Sequence, residues 1–171
     1  MTQNDNKIIY YGEWDERRTQ KHGRGIQIWP DGSRYEGYWK NDKANIKGLL
    51  YHADGDIYEG EWYEDKAHGY GVYTHSDGSK YEGYWVDDKQ EGQGREYWVD
   101  GAEYTGEYKN GKKCGTGKFL WTDGSIYEGE FYDNNINGKG YKLFNYFICF
   151  FPSFFCPFFT FIFSRRIYLG R

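Results

Sequence analysis

A Tyr-x-Gly-x-aromatic unit recurs six times along the chain, and no other feature limits its folding as strongly. It appears as Tyr10-Gly12-Trp14, Tyr35-Gly37-Trp39, Tyr58-Gly60-Trp62, Tyr81-Gly83-Trp85, Tyr104-Gly106-Tyr108 and Tyr127-Gly129-Phe131. Its defining glycines, Gly12, Gly37, Gly60, Gly83, Gly106 and Gly129, lie 25 residues apart once and then 23 apart four times in succession. A Gly-x-Gly unit follows each at Gly23-Gly25, Gly69-Gly71, Gly92-Gly94, Gly115-Gly117 and Gly138-Gly140, while the second copy keeps only Gly48, with Ile46 in place of its first glycine. Asp-Gly then closes each period at Asp31-Gly32, Asp54-Gly55, Asp77-Gly78, Asp100-Gly101 and Asp123-Gly124. Three units held in phase over five periods are a true internal repeat. The repeating piece is one supersecondary unit that stacks on its neighbours.

In Tyr58-Glu59-Gly60-Glu61-Trp62 apolar positions alternate with carboxylates, the period-two mark of a half-buried strand. Tyr, Gly and Trp share one face, and the Glu side chains point to water. Glycine in mid-strand weakens pairing, so its recurrence implies a ring laid over the bare backbone. Polar pairs at Asn41-Asp42, Glu64-Asp65, Asp87-Asp88, Asn110-Gly111 and Asn134-Asn135 are expected to make tight hairpin turns. The two extra residues of the first period fall between Trp14 and His22 and predict a longer turn. Each period is then one hairpin, and the whole an elongated, single-layer antiparallel meander. One hairpin alone is marginal, and stacking supplies the missing burial. Two sheet edges stay open, and the polar Met1–Lys7 segment is a candidate cover for one of them.

Composition agrees. Ala and Leu together number nine of 171 residues, while aromatics make up 22% and glycine 24 positions. Strong apolar helix formers are therefore scarce, and the residues that replace them suit twisted sheet and tight turns. Crossover helices for an α/β enzyme are not there. The fold class is all-β.

The pattern breaks near Lys142. Ten of the twelve Phe lie between Phe144 and Phe163, and no Asp or Glu follows Lys142. Of 22 Lys+Arg, only Arg165, Arg166 and Arg171 lie beyond it, so residues 1–142 carry 19 cations against 26 anions, a net of -7. The chain divides into a lead-in at 1–9, six repeats at 10–142 and an atypical Phe-rich hydrophobic tail at 143–171. Phe147 to Phe163 is 17 uncharged residues, the lower limit for a membrane helix, but Pro152 and Pro157 interrupt it. Three readings of the tail stand: a membrane anchor, a hydrophobic cap on the last repeat, or sequence foreign to the native protein. Its residue types share pyrimidine- or thymine-rich codons and begin mid-repeat, as a retained intron or a frameshift would read.

The residues Tyr58-Glu59-Gly60-Glu61-Trp62, His68-Gly69-Tyr70-Gly71 and Asp77-Gly78 together resemble the MORN repeat (membrane occupation and recognition nexus), over about residues 10–142. The usual His before Gly-x-Gly is His22 and His68 here, but Asn45, Glu91, Cys114 and Asn137 elsewhere. The sixth copy keeps the pattern through Gly140 and Tyr141. The resemblance implies a non-catalytic scaffold or adaptor for protein–protein interaction at cytoskeleton, cilium or cell cortex, often dimeric. An alternative is a membrane-associated or tail-anchored tether with phospholipid contact. Another is an accessory module of a phosphatidylinositol phosphate kinase or protein methyltransferase family. Only 29 residues follow the array, far below the size of either catalytic domain.

Sharper sites find little support. A phosphate cradle needs Gly-x-Gly to open a helix, whereas strands follow it here. His22, His68 and Cys114 share a repeat position, which separates them by roughly 19 Å at two-repeat spacing, too far to converge on one metal ion. No catalytic set, cofactor or nucleic-acid partner is expected. The acidic array disfavours anionic lipid, which attracts clusters of Lys and Arg; membrane contact would run through 147–163. A protein partner remains, taken up by stacking or strand addition. The candidate contacts are Tyr35, Trp39, Tyr58, Trp62, Tyr81, Trp85 and Tyr104, with the alternative that these rings are the core of a thin sheet. A homodimer is expected. Three scattered cysteines, Cys114, Cys149 and Cys156, form no disulfide framework, and Met1–Lys7 reads as no signal sequence, so a cytoplasmic location is expected.

Overall fold

A computed structural model describes residues 7–145 and 164–169. Six hairpins follow one another: β1 (Ile9–Trp14) with β2 (Lys21–Ile28), β3 (Arg34–Lys40) with β4 (Lys43–Tyr51), β5 (Ile57–Tyr63) with β6 (Lys66–Thr74), β7 (Lys80–Val86) with β8 (Lys89–Tyr97), β9 (Glu103–Lys109) with β10 (Lys112–Leu120), and β11 (Ile126–Tyr132) with β12 (Asn135–Asn145). A last strand, β13 (Ser164–Leu169), stands beside β12. Strand order in the single sheet is chain order, every pair antiparallel. The predicted all-β meander is thus the observed one. Among the described residues no helix is long and apolar enough to cross a membrane. The segment 147–163, on which the anchor reading rests, lies outside the described residues.

Five hairpins close on two-residue turns in which both central residues have positive φ, the type I′ geometry whose twist matches that of the strands. Four of these turns stand where the sequence put them. The sixth is Asp133-Asn134 rather than Asn134-Asn135, because Asn135 already pairs with Tyr132 as strand. In the first hairpin Trp14 pairs with Lys21 across the expected longer loop, where the Asp15 carboxylate accepts from Thr19 N and Gln20 N.

Turns also tie each hairpin to the one before. Asp65 N donates to Ala44 O at 3.0 Å while its carboxylate accepts from Ala44 N at 2.7 Å. Asp42 grips Lys21, Asp88 grips Ala67, and Asn134 grips Lys113 in the same two-way manner. Gly111 makes only the backbone half, to Gln90 O at 2.9 Å, since it has no side chain.

The core is a line of rings on one face. Each Tyr of the repeat lies over the two paired glycines of its own hairpin: Tyr58 covers Gly60 and Gly71, where any Cβ would stand 2.4–2.6 Å from its hydroxyl oxygen. That hydroxyl donates to the carbonyl three residues on, Tyr58 to Glu61 O at 3.0 Å, Tyr35 to Tyr38 O and Tyr81 to Tyr84 O at 3.1 Å. The Trp two residues after the glycine reaches the preceding hairpin instead. Trp39, Trp62 and Trp85 donate Nε1–H to the carbonyls of Gly25, Gly48 and Gly71 at 3.1–3.2 Å. Each Tyr but the last therefore meets two later rings edge-to-face, its own and the next repeat's, and Tyr127 meets Phe131, giving an unbroken zigzag from Tyr10 to Phe131 with centroids 4.9–5.5 Å apart. Such contacts contribute about 0.5–1.5 kcal/mol each beyond their buried area. The one-layer sheet thus builds a core without a second layer.

A bulge of two extra residues bends every hairpin, and the first position of Gly-x-Gly lies within it. That residue has positive φ in all six copies, Ile46 included at 67°, an outlier for a β-branched side chain. Glycine is needed there for a second reason in four copies. At Gly23, Gly69, Gly115 and Gly138 a Cβ would come within 1.9–2.5 Å of the carboxylate of Glu13, Glu61, Glu107 or Glu130. Glu107 and Glu130 use that room to accept from Thr116 N and Lys139 N. The second copy has Tyr38 in place of the Glu, and Tyr38 leans away onto Arg24, 5.1 Å from its ring. Room for a side chain at 46 follows.

Strand pairing outlasts the motif. The repeat pattern loses its side chains after Tyr141, yet β12 stays paired with β11 to Leu143 and with β13 to Asn145, because ladder bonds need only backbone.

Candidate functional site

The aromatics that the sequence offered as partner contacts are consumed by the sheet itself. Tyr35, Trp39, Tyr58, Trp62, Tyr81, Trp85 and Tyr104 are each 8% exposed or less. Their burial has a simple cause, and it matches the alternative that these rings are the core of a thin sheet: they stack on glycine pairs and on one another. Burial also pushes the hydroxyl pKa of Tyr35, Tyr58, Tyr81 and Tyr104 upward, well beyond the ordinary tyrosine value. The repeat-defining glycines have an architectural part, as seats for those rings.

The opposite face is open. Register places Tyr11, Ile26, Glu36, Leu49, Glu59, Val72 and Glu82 on one row that crosses β1 to β7, apolar residues alternating with carboxylates from Ile26 on. Where this row runs beside the glycine pairs, a depression of about 860 Å³ opens, its floor partly the backbone of Gly25, Gly37, Gly48, Gly60 and Gly71. Further along, Arg95, Thr105, Lys118, Glu128 and Tyr141 continue the row with polar chemistry. A second depression of about 770 Å³ lies there over Gly106, Gly117, Gly129 and Gly140. Glycine thus shapes both faces, seating rings on one and leaving a lowered backbone on the other.

His22, His68 and Cys114 sit on β2, β6 and β10, separated by three strands each. Among the described residues no group of three or more His, Cys, Asp or Glu could hold a metal ion. One polar cluster escaped the sequence reading. Asp56 accepts from Tyr73 Oη at 2.7 Å and Ser76 N at 2.9 Å, with His75 Nδ1 at 3.1 Å. Those bonds, Tyr73 first, hold its carboxyl down at about 2. The available signal was the repeat itself, since Asp56 stands where Ser33, Ser79 and Ser125 stand in other copies. The cluster fastens one Asp-Gly loop to the next.

A family model described as MORN repeat matches residues 10–34, 35–57, 58–80, 81–103, 104–126 and 127–145. A comparison with curated proteins returns no match.

Proposed function

The chain belongs to the MORN-repeat family, and from that premise we propose that it is a non-catalytic scaffold or adaptor, binding a protein partner at cytoskeleton, cilium or cell cortex. The observation that carries the reading is the division of labour between the faces. Core rings occupy one, and the other presents a row of Ile26, Leu49 and Val72 interleaved with Glu36, Glu59 and Glu82 along a glycine-floored depression. Apolar area with regularly placed carboxylates suits an extended or helical segment laid across the strands. The repeat family is not generally catalytic, and every conspicuous motif here has a structural use.

The test is proximity labelling in cells with the full chain and with Leu49→Arg plus Val72→Arg. The labelled partner set is expected to be lost in that variant and kept in Tyr132→Arg, which changes an aromatic 70% exposed beside the last turn. An unchanged partner set in both variants overturns the reading of this face.

A further inference from the structure

Two lysines show what the slots between hairpins on the ring-bearing face accept, Lys21 reaching forward to Trp39 of the next hairpin and Lys113 back to Trp98 and Glu96 of the preceding one. Lys21 pairs with Trp14 across its hairpin, and Lys113 pairs with Tyr108, so the two occupy the same repeat position. Lys21 Nζ sits 3.9 Å from the centroid of Trp39 and 2.6 Å from Gln27 Oε1. Lys113 Nζ stands 5.0–5.6 Å from the centroids of Trp98, Tyr104 and Tyr108, contacts the Glu96 carboxylate, and leaves its side chain 14% exposed. Each ammonium is held by ring faces and an acceptor oxygen, and at Lys21 burial pushes the pKa down while Asp42 and Asp65 oppose that shift.

Register gives the equivalent residue in the second repeat as Ala44, opposite Trp39. No side chain long enough to fill the slot comes from that position, and Leu50 beside it ends short. What remains is a cavity of about 490 Å³, with Trp29, Trp39 and Trp62 in its wall and Asp31, Asp42 and Asp65 around it. Lys21 also lines it and offsets one of these three carboxylates, and its ammonium feels the charge of Asp42 and Asp65. The third repeat also has alanine here, Ala67, but Tyr73 stands near Trp85 at 6.2 Å and takes up the space. In the fourth, where Gln90 holds this position, Glu96 accepts from Lys113 and from the Tyr108 hydroxyl.

We infer that the cavity beside Ala44 takes the cationic side chain of a protein partner, a lysine or arginine. The partner's ammonium or guanidinium supplies there what Lys21 and Lys113 supply within the chain. Excess carboxylate charge attracts it, and Trp29, only partly buried where Trp39 and Trp62 are 3% and 8% exposed, offers the indole face that receives its methylenes and its cation. This slot is on the face opposite the glycine-floored depression, so it stands or falls independently of that reading.

The experiment is a titration of the full ¹⁵N-labelled chain with N-acetyl-lysinamide and N-acetyl-argininamide, followed on the indole N–H signals, with N-acetyl-norleucinamide as the uncharged match. Saturable shifts at Trp29, Trp39 and Trp62 are expected with a Kd on the order of 1 mM, and norleucinamide about tenfold weaker. Ala44→Lys, which writes the repeat-one and repeat-five residue into repeat two, is expected to abolish binding and keep the melting temperature. Asp65→Asn keeps an oxygen to accept from Ala44 N while removing the charge, and is expected to weaken binding several-fold. Equal binding of norleucinamide, undiminished binding by Ala44→Lys, or no saturable indole shift with either cation overturns the proposal.

Discussion

Substituting Gly69→Ile tests why glycine recurs at the bulge, because repeat two already carries isoleucine there. Gly69 has a φ of 81° and Ile46 one of 67°. Holding a β-branched residue in that region costs about 1–3 kcal/mol. A Cβ at 69 would also stand 2.0 Å from Glu61 Oε2, so the carboxylate must leave and forfeit its 3.4 Å bond to Tyr70 N. That bond is long and exposed, contributing about 0.5–1 kcal/mol. Removing glycine restricts the unfolded chain and returns about 0.5–1 kcal/mol. The net loss is about 2 kcal/mol, which for a chain of 171 residues lowers the melting temperature by about 4–8 °C. Adding Glu61→Tyr recreates the Tyr38/Ile46 pair. It removes the collision but cannot restore the bond to Tyr70 N, and it leaves the backbone strain, so the double variant is expected to be as stable as Gly69→Ile to within about 0.5 kcal/mol. Thermal and urea melts followed by circular dichroism read both numbers. A Gly69→Ile chain that melts with wild type, or a double variant that departs from Gly69→Ile by more than that margin, refutes the argument.

Other outcomes follow from the same contacts. Trp62→Phe keeps the edge-to-face ladder but removes the Nε1–H bond to Gly48 O; it should cost about 1 kcal/mol, and an unchanged urea midpoint would show that water replaces the indole without loss. Gly111→Asn gives the fifth turn the acceptor that Asp42, Asp65, Asp88 and Asn134 already have, at a φ of 80° that asparagine tolerates. It should stabilise by about 0.5 kcal/mol, read as a raised melting temperature, and a lowered one would mean that Gln90 N is not within its reach. Alkali should unfold the array. Tyr35, Tyr58, Tyr81 and Tyr104 have folded pKa values raised by burial, so their contribution is complete below the unfolded value of about 10 and declines as pH rises past it. Phenolate absorbance from these four should appear together with loss of the strand signal. Full ionisation with the sheet intact would contradict their burial.

Much of this architecture was legible one hairpin at a time. Period-two alternation in Tyr58–Trp62, polar pairs at the turns and Asp-Gly at each period encode strand, turn and face within about ten residues of each other. The same local information placed a ring over each glycine. It misjudged the last turn by one residue, since Asp133, Asn134 and Asn135 have nearly equal turn chemistry and only pairing of Tyr132 with Asn135 decides between them.

What tertiary structure alone decided lies between hairpins. Trp62 serves Gly48, 14 residues back, and Asp65 grips Ala44, 21 residues back. Neither choice is written in either hairpin, because it depends on register, bulge position and the direction each ring takes. For the same reason the sequence could name Tyr35 or Trp39 as contact residues, yet only stacking revealed that neighbouring repeats bury them. Local sequence determined the repeating part. The packing of one copy on the next determined which surfaces remained, among them the slot that Ala44 leaves open.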